Sequence, residues 1–129
     1  AFITDAGYYM NLPDLDFIPG AAVMTRVISH PAKGVFTTDL GYKAIASDPA
    51  GQRGYIVGLE DAVPIIHSEE HWAFRLEDES RIPAIGSCLY VIPTHICPTT
   101  ALYPEILVAK DGQVADRWQV TARNRRITY

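Results

Sequence analysis

An all-β fold, built as a small barrel or sandwich, is predicted for this chain by three observations. Short apolar or alternating runs recur along it at regular spacing, several of them are rich in β-branched residues, and turn residues separate them. The runs at residues 22–29 and 34–39 alternate, and the first is β-branched in its second half. Shorter runs follow at residues 55–57, 62–66, 72–76 and 88–92, and two more at 105–109 and 114–120 close the series. Pro31-Ala32-Lys33-Gly34, Asp48-Pro49-Ala50-Gly51 and Asp111-Gly112 punctuate them, and Lys110-Asp111-Gly112-Gln113 is a hairpin signal between two β-like runs. A short helical turn is expected after Pro98, across residues 99–103, and the Pro- and Asp-rich stretch 10–20 is expected to be an ordered loop. There is no internal repeat, low-complexity tract or linker.

Size and charge narrow the function classes. A chain of 129 residues fits one domain and buries roughly two-thirds of its unfolded surface. The net charge of −4 argues against nucleic acid, which needs a basic footprint. Positive charge gathers late, at Arg117, Arg123, Arg125 and Arg126, and reads as a solvated or interface edge. No run reaches the ~20 apolar residues of a membrane span. Ala1-Phe2-Ile3-Thr4-Asp5 has neither the basic nor the apolar region of a signal peptide. Cys88 and Cys97 could pair in an oxidising compartment, but nothing else suggests secretion, so a cytoplasmic protein with free or metal-bound thiols is expected.

The strongest local chemistry lies at Pro93-Thr94-His95-Ile96-Cys97-Pro98-Thr99. If residues 95–97 are extended, His95 and Cys97 point to one face while Ile96 turns away. An imidazole and a thiolate together suit zinc, and two protein ligands leave positions for water or substrate. A lone His-x-Cys also occurs by chance, and cysteine is among the most buried residues, so spacing leaves metal ligation and simple packing both open. His67-Ser68-Glu69-Glu70-His71 has a zincin-like spacing, but Ser68 stands where the general-base glutamate belongs. It is read as a loop between strands. Cys88, in an apolar run, is read as core, and His30, before Pro31 at a turn, carries no signal of its own.

Taken together, these stretches resemble the C-terminal domain of the D-serine dehydratase and D-threonine aldolase family, alanine racemase-like enzymes that use pyridoxal phosphate. Gly7-Tyr8-Tyr9-Met10-Asn11 is similar to the opening segment of that domain, and Thr25-Arg26-Val27-Ile28-Ser29-His30-Pro31 to its first long strand. Asp39-Leu40-Gly41-Tyr42-Lys43-Ala44 with Ser47 and Asp48, Ser68-Glu69-Glu70-His71, residues 93–99, and Asp111-Gly112 through Trp118 to Arg123 follow in family order. Asn11, Phe17 and Asn124 depart from the family pattern and leave the subfamily open.

The resemblance implies a Greek-key-like β-barrel or sandwich over residues 1–129, a single metal-binding domain of a D-3-hydroxy-amino-acid lyase. It implies zinc or manganese on His95 and Cys97, acting on the substrate's β-hydroxyl, and pyridoxal phosphate on a separate barrel domain. A barrel of ~250 residues does not fit in this length. The resemblance assigns the cofactor lysine to that barrel rather than to Lys33, Lys43 or Lys110. The chain alone is therefore expected to be inactive, and the full enzyme to be a homodimer. Two alternatives stand beside this one. One is a free-standing metal- or ligand-binding β module, and the other a purely structural domain with His95 and Cys97 packed and metal-free.

Overall fold

Alternation along the first long run fixes the first strand, β1 (Val23–Ala32): Val23, Thr25 and Val27 are buried, while Met24, Arg26 and Ile28 face out. The computed structural model describes residues 3–48 and 50–128, so the expectations at Ala1, Phe2 and Pro49 lie outside the described residues. β1 turns back at Lys33-Gly34, where Gly34 takes φ 73°, into β2 (Val35–Thr38). His30 therefore sits inside a strand, not at the turn expected for it; its ring Nε2 lies 2.8 Å from the Pro83 carbonyl.

β3 (Gly54–Ile56), β4 (Val63–His67), β5 (Trp72–Arg75) and β6 (Cys88–Pro93) complete an antiparallel sheet in the order β3-β6-β1-β2-β5-β4. Its two edge strands, β3 and β4, are consecutive in the chain, and that forces the sheet to curl. Laid flat, six strands would set the edges about 24 Å apart. The link between them folds into two tight turns, closed by Leu59 N to Ile56 O and Ala62 N to Leu59 O, each 3.0 Å. Two such turns and one further residue reach at most about 18 Å. Arg81, in the 3-10 turn Glu79–Arg81, pins this link by a bidentate pair with Asp61 (2.7 and 3.0 Å) and a bond to the Gly58 carbonyl. The result is a half-barrel.

The hollow of the curl is filled by Phe36, Leu40, Ile45, Ile56, Trp72, Phe74, Leu76 and Val91. Phe36 and Phe74 are register partners across β2 and β5 and stack at 5.4 Å; Trp72 meets Phe74 at 4.5 Å. The hairpin signal at Asp111-Gly112 is realised: β7 (Glu105–Lys110) and β8 (Gln113–Gln119) pair through a turn with φ 51° and 75°. Two positive φ values in a two-residue loop match the twist of the flanking strands. This hairpin forms its own two-stranded sheet, and Leu107, Val114 and Trp118 on it are exposed.

Two short helices interrupt the strands. α1 (Ala6–Asn11) takes the first residues of the expected 10–20 loop, and α2 (Ile96–Thr100) starts earlier than the turn expected after Pro98. Cys88 is a further correction. It is exposed rather than core, because alternation along β6 turns Leu89, Val91 and Pro93 inward and Cys88 and Tyr90 out. Among the described residues no helix is long and apolar enough to cross a membrane.

His67 closes the open end of the core. Its ring lies 4.6 Å from Trp72 and 5.9 Å from Tyr42, with Nε2 3.2 Å from the Leu40 carbonyl. Burial holds this imidazole below its ordinary pKa; the Leu40 carbonyl opposes that shift and the charge of Arg53 adds to it. The unfolded chain then binds more protons than the folded one, so stability present above the ordinary histidine value of about 6.5 is lost as pH falls through it. Urea unfolding at stepped pH should show this slope, and His67→Gln should flatten it. The carboxylates held low by their partners, Asp61, Glu69 and Asp78, act in a separate, more acidic window.

Candidate metal centre

β6 delivers the His-x-Cys segment to the end of the half-barrel, and Thr94 fastens the delivery point. Its N–H donates to the Arg53 carbonyl and its hydroxyl to the Gln52 carbonyl, both at 2.8 Å. His95 is still extended (φ −133°, ψ 103°) but is the N-cap of α2, and Cys97 is that helix's second residue. The expected extended stretch through residue 97 is thus corrected: the chain turns helical at Ile96. Pro98 permits this because the first turn of a helix leaves its N–H groups without helical partners, so a missing one does no harm. The two side chains leave one helix start rather than one strand face.

Four groups hold that start in place. Asp5, buried to 1% exposure, accepts from Ile96 N at 2.7 Å through Oδ2 and from Tyr8 N at 3.0 Å through Oδ1, so one carboxylate caps α1 and anchors α2. Gly7 N donates to the Thr94 carbonyl at 3.2 Å, and a Cβ at Gly7 would sit 2.5 Å from that oxygen, which is why glycine stands there. The buried Thr99 hydroxyl donates to the His95 carbonyl at 2.8 Å and accepts from Ala46 N at 3.1 Å. Asp48 Oδ2 lies 3.1 Å from His95 Nδ1, which leaves Nε2 as the ring nitrogen available to a ligand.

The Cys97 thiol is free and exposed. It lines a cleft of about 740 Å³ between α2 and the C-terminal segment, whose walls include Ile96, Trp118, Val120 and Arg123. Among the described residues no three His, Cys, Asp or Glu side chains gather as a metal cage. The groups this helix start offers are one oriented imidazole and one thiol. Their chemistry fits an open divalent site, in which further ligands come from water, substrate or other protein groups.

A second cluster joins two stretches far apart in sequence. The backbone of residues 41–43 lies against residues 68–70, with Tyr42 N to Ser68 O at 2.9 Å and Lys43 N to Glu69 O at 3.1 Å. A Cβ on Gly41 would fall 2.0 Å from the Glu69 carbonyl oxygen. Lys43 Nζ pairs with Glu70 at 2.7 Å and Glu69 at 2.9 Å, and these carboxylates hold the ammonium well above the ordinary lysine value. His67 and His71 flank the β4–β5 turn, closed by Ser68 N to His71 O at 2.8 Å, as the loop reading expected.

Residues 20–109 match the family model described as "putative serine dehydratase domain". The chain belongs to the serine dehydratase domain family. An uncharacterized protein of Mycobacterium tuberculosis is 32% identical over 115 residues, which is 87% of this chain and 86% of that protein. A D-threonine aldolase of an Arthrobacter species is 31% identical over 124 residues, covering 92% of this chain but 31% of the enzyme. The crystal structure of D-threonine aldolase from Filomicrobium marinum superposes with a TM-score of 0.84 at 25% identity, over 94% of this chain and 34% of that one. This serine dehydratase domain thus spans about a third of the aldolases it matches and most of the mycobacterial protein.

Sequence reasoning picked out His95 and Cys97 but assigned no role to Asp5, Asp48 or Thr99. Asp48 is 47 positions from His95 and Asp5 is 91 from Ile96, so no local spacing links them. Asp5 carried one readable sign, a capping residue directly ahead of a short helix.

Proposed function

We propose that this domain is the metal-holding part of a pyridoxal-phosphate-dependent lyase acting on D-3-hydroxy amino acids, and that His95 and Cys97 are its metal ligands. The observation that carries this is the braced helix start, which presents an imidazole with Nδ1 occupied by Asp48 at its N-cap and a free thiol two residues on. Membership of the serine dehydratase domain family and the likeness to D-threonine aldolases support the reaction class. A zinc or manganese ion held there would serve as a Lewis acid toward the substrate's β-hydroxyl, and pyridoxal phosphate on a partnering barrel domain would be the electron sink.

The chain's own residues have narrower tasks. His95 offers Nε2, Cys97 offers sulfur once its proton is lost, and Asp5 and Thr99 fix the backbone that carries both. The lysines do not suit the cofactor. A Schiff-base lysine needs a neutral amine, whereas Lys43 is held charged between Glu69 and Glu70, and Lys33 pairs with Glu79 at the surface. Lys110 is exposed beside the hairpin turn. The chain on its own is therefore inactive in this reading. Exposed apolar side chains on the edge strand β4 (Val63, Ile65, Ile66) and on the β7–β8 hairpin support a surface that further protein covers, in a homodimer of the full enzyme.

Titrating the purified chain with cobalt(II) tests the ligand pair. Wild type should develop a sulfur-to-cobalt charge-transfer band at weak affinity. Cys97→Ser should abolish the band, and His95→Ala should weaken binding severely. Unchanged metal uptake in both variants would sink the assignment. One observation favours a second reading, a free-standing metal- or ligand-binding module: the mycobacterial relative is matched over most of its own length. That reading requires the lone chain to be monodisperse and monomeric by light scattering, and self-association through the exposed apolar faces would count against it.

A further inference from the structure

We infer that Asp48 is the positioning residue that sets the ring tautomer of His95 and so selects Nε2 as the metal-binding nitrogen. This rests on the metal reading above and extends it from the ligands to the group that orients them. Neutral imidazole carries one N–H and one acceptor nitrogen, and only the acceptor can ligate. A carboxylate accepts and does not donate, so Asp48 Oδ2, 3.1 Å from Nδ1, places the proton on Nδ1 and leaves the Nε2 lone pair free. It also fixes the ring plane.

The rest of the network makes this contact a built one. Asp48 lies between β2 and β3, and the backbone just before it is held twice, from α2 and from the turn that follows α2. Ala46 N donates to the Thr99 hydroxyl at 3.1 Å, and the Tyr103 hydroxyl donates to the Ala44 carbonyl at 2.7 Å. The same Thr99 hydroxyl donates to the His95 carbonyl. The Thr99 hydroxyl, on a residue 2% exposed, thus ties the backbone at Ala46, two residues before Asp48, to the backbone of His95. The pair itself is not buried: the side chains of His95 and Asp48 are 38% and 63% exposed. An exposed pair of this kind contributes little to folding, so its effect falls on the ring and not on the fold.

The test uses the full chain with nitrogen-15-labelled histidine, at a pH well above the histidine range so that the ring is neutral. Long-range nitrogen–proton correlation spectra, assigned against His95→Ala, should show the His95 proton on Nδ1 in wild type. Asp48→Ala should move it largely to Nε2, whereas Asp48→Glu, which keeps an acceptor-only carboxylate, should retain it on Nδ1. In cobalt(II) titrations Asp48→Ala should bind about 10–100-fold more weakly, with urea stability unchanged and Asp48→Glu intermediate. The two readouts separate the two claims. A tautomer shift in Asp48→Ala with no metal uptake by wild type would leave the positioning role standing and remove the metal. Normal metal uptake with the same tautomer and affinity in Asp48→Ala would overturn the positioning role and leave the ligands.

Discussion

Replacing Trp72 by alanine should lower the free energy of unfolding by about 3–5 kcal/mol, the largest loss expected from any single core truncation here. Trp72 is 1% exposed, opens β5, faces Thr38 across the β2–β5 pair and joins His67 to Phe74 through ring contacts of 4.6 and 4.5 Å. Removing the indole takes away a transfer contribution and leaves a cavity between two edges of the curl that cannot easily close. A domain of this size has roughly 5–15 kcal/mol in total, so the variant should lose a large share of it. Urea unfolding followed by circular dichroism measures it. Trp118→Ala is the control: that indole is 51% exposed on the hairpin, and its loss should stay within about 0.5 kcal/mol. A Trp72→Ala variant no less stable than Trp118→Ala would refute the placement of the core.

The contrast between these two tryptophans shows what periodicity can and cannot tell. The runs that became β1 through β8 were legible as short apolar or alternating stretches between turn residues, and along β1 alternation alone gives the inward positions of Val23, Thr25 and Val27. The same rule, pursued one residue further along β6, would have placed Cys88 outside; its apolar neighbours hid the alternation. The curl of the sheet was legible only in part. It depends on two tight turns at residues 56–62 and on the Arg81–Asp61 pair, and neither is signalled by hydropathy. α1 escaped because Gly7 and two tyrosines are weak helix formers, and Gly7 is kept by its approach to the Thr94 carbonyl rather than by helix propensity.

The site divides in the same way. His95 and Cys97 could be named from two letters of spacing, yet the geometry imagined for them, one face of a strand, was wrong. Pro98 belongs to the first turn of a helix and not to an extended stretch. The contacts that brace this helix start, from Asp5, Asp48 and Thr99, come from residues brought together by the fold and invisible to any local pattern. The family resemblance had included Asp48 in a matched stretch without a task; the contact at 3.1 Å supplies one.

Replacing Asp5 should also cost the fold heavily, because its carboxylate serves two N–H donors at 1% exposure. Oδ1 accepts from Tyr8 N and Oδ2 from Ile96 N, so both oxygens face N–H donors. Asp5→Ala strands two buried or half-buried donors, and with hydrogen bonds to a charged group contributing about 1.5–3 kcal/mol each, the expected loss is about 3 kcal/mol. Asp5→Asn separates this account from a simple capping effect. Asparagine is nearly as good an N-cap as aspartate, so if capping α1 were all that mattered the change would be mild. With two donors to satisfy, its carbonyl can serve only one, and its amide then points N–H at N–H toward the other. Asp5→Asn should therefore lose most of what Asp5→Ala loses. It should also weaken cobalt(II) binding at His95 and Cys97 when measured below the denaturation midpoint, since Ile96 N is the bond that fixes the helix start between them. Full stability in Asp5→Asn, by urea unfolding, would mean that Ile96 is held by something other than this carboxylate.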